Sequence, residues 1–403
     1  MKNVAIIGIS GYGRTHLRIL RQQIEAGRMR VIGATVINQE EERDNCRWLE
    51  EQGCAIYDDY REMLRDLKGR IELCLIPTSI HWHARMTIDA LQAGANVLVE
   101  KPLAGTVQEV REIQRTEEAT GRSVAVGFQE VYSPQAHALK DLLVSGRLGT
   151  LRRMKGCALV PRRHAYYQRN NWAGQLCVED RWVLDSPVNN AVSHQLHLLL
   201  FLAGNEPLQT AVPIDVEAEL YRAQPIANFD TASLRASTEN GVAIIFVASH
   251  SCLEKSGPDL VIEGDLGRAV WSLPGDITIH CNDGEKEIIT NPREPDRRIL
   301  MMDGIVRWLH DPNAFRCTSV SAEAHTLVIN GAQDCGPVRE LGAPIVKDYS
   351  IDGGVQTVID GIDHWVQVCF RDAKLFSETD CPWARSSGRI DLRNYSGYSG
   401  SGT

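Results

Sequence analysis

No two of the eleven cysteines are spaced C-x-x-C, and the odd count is scattered from Cys46 to Cys381. That pattern suggests neither a disulfide framework nor a zinc cluster, so reduced thiols and a cytoplasmic location are expected. Long apolar runs are missing too: none approaches the roughly 20 residues of a membrane span. The opening Met1-Lys2-Asn3 leads straight into strand-like Val4-Ala5-Ile6-Ile7, with no charged leader or small-residue cleavage site. No membrane partner is expected. Basic runs are also absent and the formal net charge is −9, which argues against a phosphate backbone as the main ligand and so against a nucleic-acid partner. There is no internal repeat. What remains is a 403-residue chain long enough for two or three domains with cores of their own.

The stretch Ile71 to Thr106 organises the rest. Ile71 to Ile76 is a short apolar run, Pro77-Thr78-Ser79 breaks it, Met86 to Ala93 has helical character with Gly94 as its stop, and Asn96 to Val99 is apolar again. This is a βαβ unit, and the unalternating flanks suit parallel strands buried on both faces. Ligands of open parallel sheets sit beyond the carboxyl ends of the strands, where this unit puts Pro77, Thr78, Glu100 and Lys101. A lysine at a strand end, before a proline that fixes the chain, is a candidate functional cation.

Val4 to Ile9 is a further buried strand, followed by the turn Gly8-Ile9-Ser10-Gly11-Tyr12-Gly13 and then Leu17, Leu20 and Ile24 at helical spacing. Strand, glycine turn and helix together form a cradle for a dinucleotide pyrophosphate on helix N–H groups. Ser10 stands where the second glycine of G-x-G-x-x-G is usual. The next strand, Val31 to Val36, lacks the acid that grips an NAD ribose; Ile37-Asn38-Gln39 follow it and acids begin only at Glu40. Asn38 is then a candidate for the ribose of NAD, and Arg14 for the 2′-phosphate of NADP, so both cofactor forms stay open. Strands at Ala55 to Tyr57 and Ser123 to Gly127 complete a doubly wound parallel sheet.

The turn Gly8 to Gly13, the segment Thr78-Ser79-Ile80-His81-Trp82-His83-Ala84, the run Ala93 to Pro102 ending Glu100-Lys101-Pro102, and Val126-Gly127-Phe128-Gln129 together resemble the Gfo/Idh/MocA oxidoreductases. The similarity extends from residue 1 to about 345. It implies an N-terminal Rossmann domain over residues 1–127, binding NAD or NADP through Gly8, Ser10, Gly11, Tyr12, Gly13, Arg14, Asn38, Pro77, Thr78, His83, Glu100 and Lys101. Gln129, where the family usually has asparagine, would contact the nicotinamide end. The resemblance further implies an α+β domain, residues 128–345, with a large open, mainly antiparallel sheet that serves substrate binding and oligomerisation. A homodimer or homotetramer through that sheet, and a carbohydrate or cyclitol substrate, follow from the same resemblance.

Beyond Gly127 the residues point the same way. Ile214, Val216, Ala218 and Leu220 alternate with Asp215, Glu217, Glu219 and Tyr221, and several short strand patterns follow as far as Ile289. Closely spaced strands mean an antiparallel sheet. A helix is expected from about Val188 to Ala203, stopped by Gly204, with Asn190, His194, His197 and Phe201 on one face. His197 can equally be a satisfied core histidine, and with no third ligand at matching spacing no metal is expected. The family motif Asp-x-x-x-His falls on Asn190 and His194, so His194 would be the acid/base; Asn190 can orient it but supplies no charge. Lys101 would stabilise negative charge on the reacting oxygen.

Arg163, Tyr167, Asn171 and Trp172, in the segment Pro161 to Gly174, offer donors and aromatic faces for a sugar. No motif is visible between Gly174 and Asp185. Helices at Arg297 to Pro312 and Val320 to Ala332 are expected to cover the sheet. Residues 346–403 form an extension with a helix at Val355 to Phe370, a further segment at Glu378 to Trp383, and a low-complexity tail from Asn394 expected to be disordered. Three functions compete: a dehydrogenase or reductase of a sugar or cyclitol, an enzyme using bound NAD transiently for elimination or glycoside cleavage, and a non-catalytic nucleotide or sugar sensor.

Overall fold

The computed structural model describes residues 1–292 and 295–400. Two compact units emerge: Met1–Ala104 with Gln108–Tyr132 and Pro295–Ala322, and Gly105–Val107 with Ser133–Glu294 and Glu323–Thr403. The expected division at 127/128 and 345/346 is thus replaced by an interleaved one. Its cause is the segment 295–322, which returns to the first unit.

In the first unit β1 (Lys2–Ile7), α1 (Gly13–Glu25), β2 (Met29–Thr35), α2 (Arg43–Glu51), β3 (Ala55–Tyr57), α3 (Tyr60–Asp66), β4 (Leu73–Ile76), α4 (Ile80–Gln92), β5 (Asn96–Val99), α5 (Val107–Thr120) and β6 (Val124–Val126) alternate. The sheet order is β3-β2-β1-β4-β5-β6, the doubly wound arrangement whose direction reverses between β1 and β4. All pairings are parallel. Val4 to Ile6, Leu73 to Ile76 and Val97 to Val99 are solvent-free, as unalternating apolar strands require. The helix expected from Met86 begins at Ile80, because Ser79 takes an extended N-cap conformation directly after the Pro77 break. His81, Trp82 and His83 therefore belong to its first turn, not to a loop.

The second unit opens with α6 (Pro134–Val144) and β7 (Leu151–Leu159), then α7 (His164–Gln168) and the two-residue strands β8 (Cys177–Val178) and β9 (Arg181–Trp182). The helix expected over 188–203 is in fact two pieces. A π-turn spans Pro187–Ala191, Val192 departs from helical geometry at φ −121°, and α8 runs Ser193–Ala203. Asn190 and His194 thus lie either side of a break. The strands β10 (Pro213–Arg222), β11 (Thr231–Thr238), β12 (Ala243–Ser249), β13 (Ser256–Gly264), β14 (Gly267–Ser272), β15 (Ile277–Cys281) and β16 (Lys286–Ile289) join β7 in one ten-stranded sheet. It is mostly antiparallel, but β12 pairs with β7 in parallel.

The chain returns to the first unit as α9 (Arg297–His310) before α10 (Ser319–Asp334). Within that unit α9, expected to cover the large sheet, packs on α1 and the 3-10 turn Gln129–Tyr132. Asp303 ties it there through Gln23 and Arg28, and Arg297 through Glu130 at 2.6 Å.

After β17 (Arg339–Glu340) come β18 (Val346–Ile351), β19 (Gly354–Ile359), α11 (Ile362–Asp372) and β20 (Arg389–Asp391). The helix expected from Val355 starts only at Ile362. β-Branched Val355, Thr357, Val358 and Ile359 pair with β18, and Gly361 with φ 70° breaks the chain.

The two faces of the large sheet are covered differently. α8 packs on one face of β7 and β12, with Leu196 and Leu198 to Leu202 all buried. On the other face Cys157, Leu159, Tyr221, Ile245 and Val247 form a cluster with Ile362, Val366, Cys369, Phe376 and Trp383. The chain's own extension thus covers part of that face, over β7, β10 and β12. Glu219, fully buried, fixes it by accepting from the Ser377 amide and the Ser233 hydroxyl, and Arg235 bridges to Glu378. Residues 394–400 are likewise packed where disorder was expected: Tyr398 is 3% exposed, with its ring 4.8 Å from Trp182. Ser401, Gly402 and Thr403 of that tail lie outside the described residues.

Candidate functional site

The expected cofactor residues all fall in the first unit. Gly8 has φ 87° and its amide donates to Thr35 O at 2.9 Å, tying the turn to β2. A Cβ on Gly13 would stand 2.6 Å from the Gly8 carbonyl, so only glycine lets the chain double back and start α1 there. Pro77 and the Thr78 methyl pack against this turn; a Cβ on Gly8 would already touch Thr78 Cγ2. No side chain caps α1, whereas Asp59 caps α3 and Ser133 caps α6. A helix start with no side chain over it, behind a tight glycine turn, fits a pyrophosphate. Ser10 Oγ donates to Asn38 Oδ1 at 2.8 Å, so Asn38 does reach the turn. Arg14 is engaged by Glu42 through Nε and Nη2 at 3.0 and 2.7 Å. Tyr12 is joined to Arg298 of α9 by a 3.0 Å hydrogen bond.

Glu100 is buried at 5% exposure and accepts from two directions: His16 Nε2 stands 2.8 Å from Oε1, and the Lys101 amide donates to Oε2 at 3.1 Å. Burial alone would raise its pKa, but the hydrogen bond and charge of His16, with Lys101, outweigh that and hold the carboxyl below its ordinary value. Glu100 is therefore an ionised anchor that orients the Lys101 backbone. A Cβ on Gly127 would come within 2.9 Å of Glu100 Oε1, which explains a glycine after β6. The Lys101-Pro102 peptide is cis. His83, expected among the cofactor residues, is 1% exposed at the start of α4. Its Nδ1 lies 2.7 Å from Pro102 O and its Nε2 3.0 Å from Thr78 O, so it ties the two strand-end loops together. Gln129 is 9% exposed on the turn held by Arg297.

Of the expected substrate residues, Lys101 belongs to the first unit and the others, Arg163, Tyr167, Asn171, Trp172, Asn190, His194 and His197, to the second. Asn190 donates to Asp185 Oδ1 at 2.9 Å, and Asp185 Oδ2 accepts from the Gly174 amide at 2.6 Å. Asp185, fully ordered by these contacts and 3% exposed, is the residue sequence reasoning missed. Its Asp-Ser-Pro context reads as a helix start, and Ser186 does cap the π-turn. The Asn190 amide also lies 3.5 Å from Tyr166 Oη. Tyr166 is sandwiched between guanidiniums, with Arg162 at 4.4 Å and Arg169 at 3.6 Å from its ring centre. Arg169 reaches Trp172 too, at 5.3 Å. Nearby His250 donates from Nδ1 to Val160 O at 2.7 Å, and burial together with Arg162 pushes it down to about 3.

Tyr167 stacks edge-on against Tyr166, its phenol pushed up by burial. Arg163 is directed elsewhere: its guanidinium covers Gly353 in the turn between β18 and β19. Asn171 is exposed, and it is Asn170 that accepts from the Trp172 and Ala173 amides. His194 sits half-buried in the first turn of α8, and His197 is fully buried among its leucines. Among the described residues no group of three His, Cys, Asp or Glu could hold a metal, and no helix is long and apolar enough to cross a membrane.

Comparison with known proteins agrees with this layout. Residues 2–128 match the oxidoreductase family with NAD-binding Rossmann fold, and residues 136–270 match the GFO/IDH/MocA C-terminal domain. The chain belongs to the Gfo/Idh/MocA oxidoreductase family. Among curated members it is 29% identical over 211 residues to the inositol 2-dehydrogenase of Azotobacter vinelandii, covering 52% of this chain and 56% of that one. The corresponding enzyme of Burkholderia lata is 28% identical over 212 residues, with the same coverage. The match thus spans little more than half the length of these Gfo/Idh/MocA relatives.

Solved structures share the fold over more of the chain. The WlbA dehydrogenase of Chromobacterium violaceum, in complex with NADH and UDP-GlcNAcA, has a TM-score of 0.67 at 18% identity, covering 83% of this chain and 94% of that one. Levoglucosan dehydrogenase in complex with NADH and levoglucosan has a TM-score of 0.68 at 15% identity, covering 83% and 97%.

Proposed function

We propose that this Gfo/Idh/MocA protein is a dehydrogenase or reductase that interconverts a secondary alcohol and a ketone on a sugar, cyclitol or related derivative. The observation that carries this reading is the buried His16–Glu100 pair, which anchors the backbone of Lys101 beside an uncapped, glycine-turned helix start. That pair fixes Lys101 at a strand end, where ligands of doubly wound sheets sit. The nicotinamide ring, when bound, supplies the hydride acceptor or donor.

The chain's own residues do the rest. Lys101, as an ammonium, donates to the reacting oxygen and stabilises the negative charge that develops there. His194 takes the hydroxyl proton in oxidation and returns it in reduction. Asn190 cannot replace the charge of the aspartate usual at its position, but its amide hydrogen-bonds the carboxylate of Asp185. Asp185 therefore acts as a positioning residue through Asn190, supplying the negative charge one side chain further away. Tyr166, with Arg162 and Arg169 on its two faces, offers an aromatic and cationic surface suited to a polyhydroxy substrate.

The experiment is nicotinamide absorbance on purified protein with a panel of pyranoses, uronic acids and inositols. Steady turnover on one class supports the reading. Tight cofactor binding with no absorbance change on any member overturns it in favour of a net non-redox reaction or a sensor.

A further inference from the structure

The end of β2 carries no acid, yet a carboxylate is delivered to the same place from further along the chain. Glu42, at the N-cap of α2, is 2% exposed. Its Oε1 accepts from Arg14 Nε at 3.0 Å and Nη2 at 2.7 Å, and its Oε2 from Asn45 Nδ2 at 2.6 Å. Asn38, between β2 and Glu42, accepts from Ser10 Oγ in the turn after β1. The glycine turn, the β2 exit and the start of α2 therefore converge. In a doubly wound sheet this is the place of the adenosine ribose. Burial would raise the Glu42 carboxyl, but the hydrogen bonds from Arg14 and Asn45 and the charge of Arg14 hold it below its ordinary value.

We propose that Glu42 selects the cofactor: it presents a buried negative charge beside the adenosine ribose and occupies the guanidinium fork of Arg14, so that NAD is accepted and the 2′-phosphate of NADP is refused. An uncharged 2′-hydroxyl meets no repulsion from this charge. A 2′-phosphate has no proton to give and meets like charge instead. The cation that could compensate is already engaged, since Arg14 would have to leave Glu42 unpaired in a buried setting. Arg21, two turns further along α1, is held as well, donating to Asn45 Oδ1 at 2.8 Å with its guanidinium 4.4 Å from the Trp48 ring. The assignment rests on the reading that the chain binds a nicotinamide dinucleotide, and it adds which one and why.

The test is calorimetric titration of the full chain with NAD+ and with NADP+, without substrate. Wild type is expected to bind NAD+ at least about tenfold more tightly, and Glu42→Gln to narrow that ratio about fivefold or more, mainly by tightening NADP+. Adding Arg14→Ala to Glu42→Gln should remove the gain. Arg14→Ala alone covers the case in which Glu42→Gln fails to fold, because the Arg14 side chain is 64% exposed. Alone it should weaken NADP+ relative to NAD+ by less than about threefold. Equal or tighter binding of NADP+ by wild type, an unchanged ratio in Glu42→Gln, or a selective loss of NADP+ in Arg14→Ala overturns the proposal while leaving the cofactor reading standing. Binding of neither dinucleotide overturns both.

Discussion

His16 Nε2 lies 2.8 Å from Glu100 Oε1, with both side chains buried at 2% and 5% exposure. One is on the first helix after the glycine turn, the other at the end of β5, so the contact locks the cofactor cradle to the strand end that carries Lys101. Glu100→Ala is expected to cost about 3 kcal/mol, the scale for removing one partner of a buried pair. Because the folded Glu100 titrates below the ordinary range of a glutamate, its contribution is present above that range and is lost as pH falls through the depressed folded value. The gap between wild type and Glu100→Ala in urea melts should therefore close on acidification below about pH 4.5.

Lys140 of α6 is fully buried and donates to the carbonyls of Phe201, Gly204 and Gln209 at 2.6, 2.5 and 3.1 Å. It thereby caps the carboxyl end of α8, the helix that bears His194. Lys140→Met would strand those carbonyls, with an expected loss of about 2 to 4 kcal/mol in chemical denaturation. An unchanged midpoint would remove Lys140 from the account of how α8 is held.

Phe376 lies in the apolar cluster between the large sheet and the extension, 5.0 Å from Trp383 and 5.9 Å from Tyr221 between ring centres. Phe376→Ala is expected to destabilise by about 3 to 5 kcal/mol. Removing residues 346–403 altogether should expose the sheet face, read as strong dye binding and self-association in sedimentation. A truncated chain that stays monomeric and cooperative in melting would show that the extension is dispensable cover.

Asp185→Asn retains the size of the side chain and removes its charge. We expect kcat to fall by about tenfold to a hundredfold with dinucleotide affinity unchanged, and the basic group seen in the pH profile of kcat/KM to shift. A fall in kcat with an unmoved profile would reduce Asp185 to a packing role.

Much of this was legible in the chain itself. The runs around Val4, Leu73 and Val97 are apolar without alternation, and that alone marks a parallel sheet. Glu100 and Lys101 stand out because they follow such a run. The large sheet was legible from the alternation at Ile214 to Tyr221, whose inward face is Val216, Ala218 and Leu220. Other features depend on partners distant in sequence. Nothing local to Glu42 or Asp185 says that each reaches a site residue, since one looks like a surface acid before a helix and the other like a cap. The break at Val192 was hidden because an apolar run satisfies a helix and a π-turn equally. The extension escaped because residues 355–359 have helical length but β-branched side chains, and their partner strand begins nine residues earlier, at Val346.

In the proposed reaction Lys101 and His194 serve one and the same redox step. Its most direct test is stopped-flow nicotinamide absorbance with the substrate found by panel turnover, comparing wild type with Lys101→Ala and His194→Ala under saturating cofactor. The account predicts that each variant loses about two to three orders of magnitude in the rate of absorbance change while still binding dinucleotide. Turnover that survives both substitutions would contradict it.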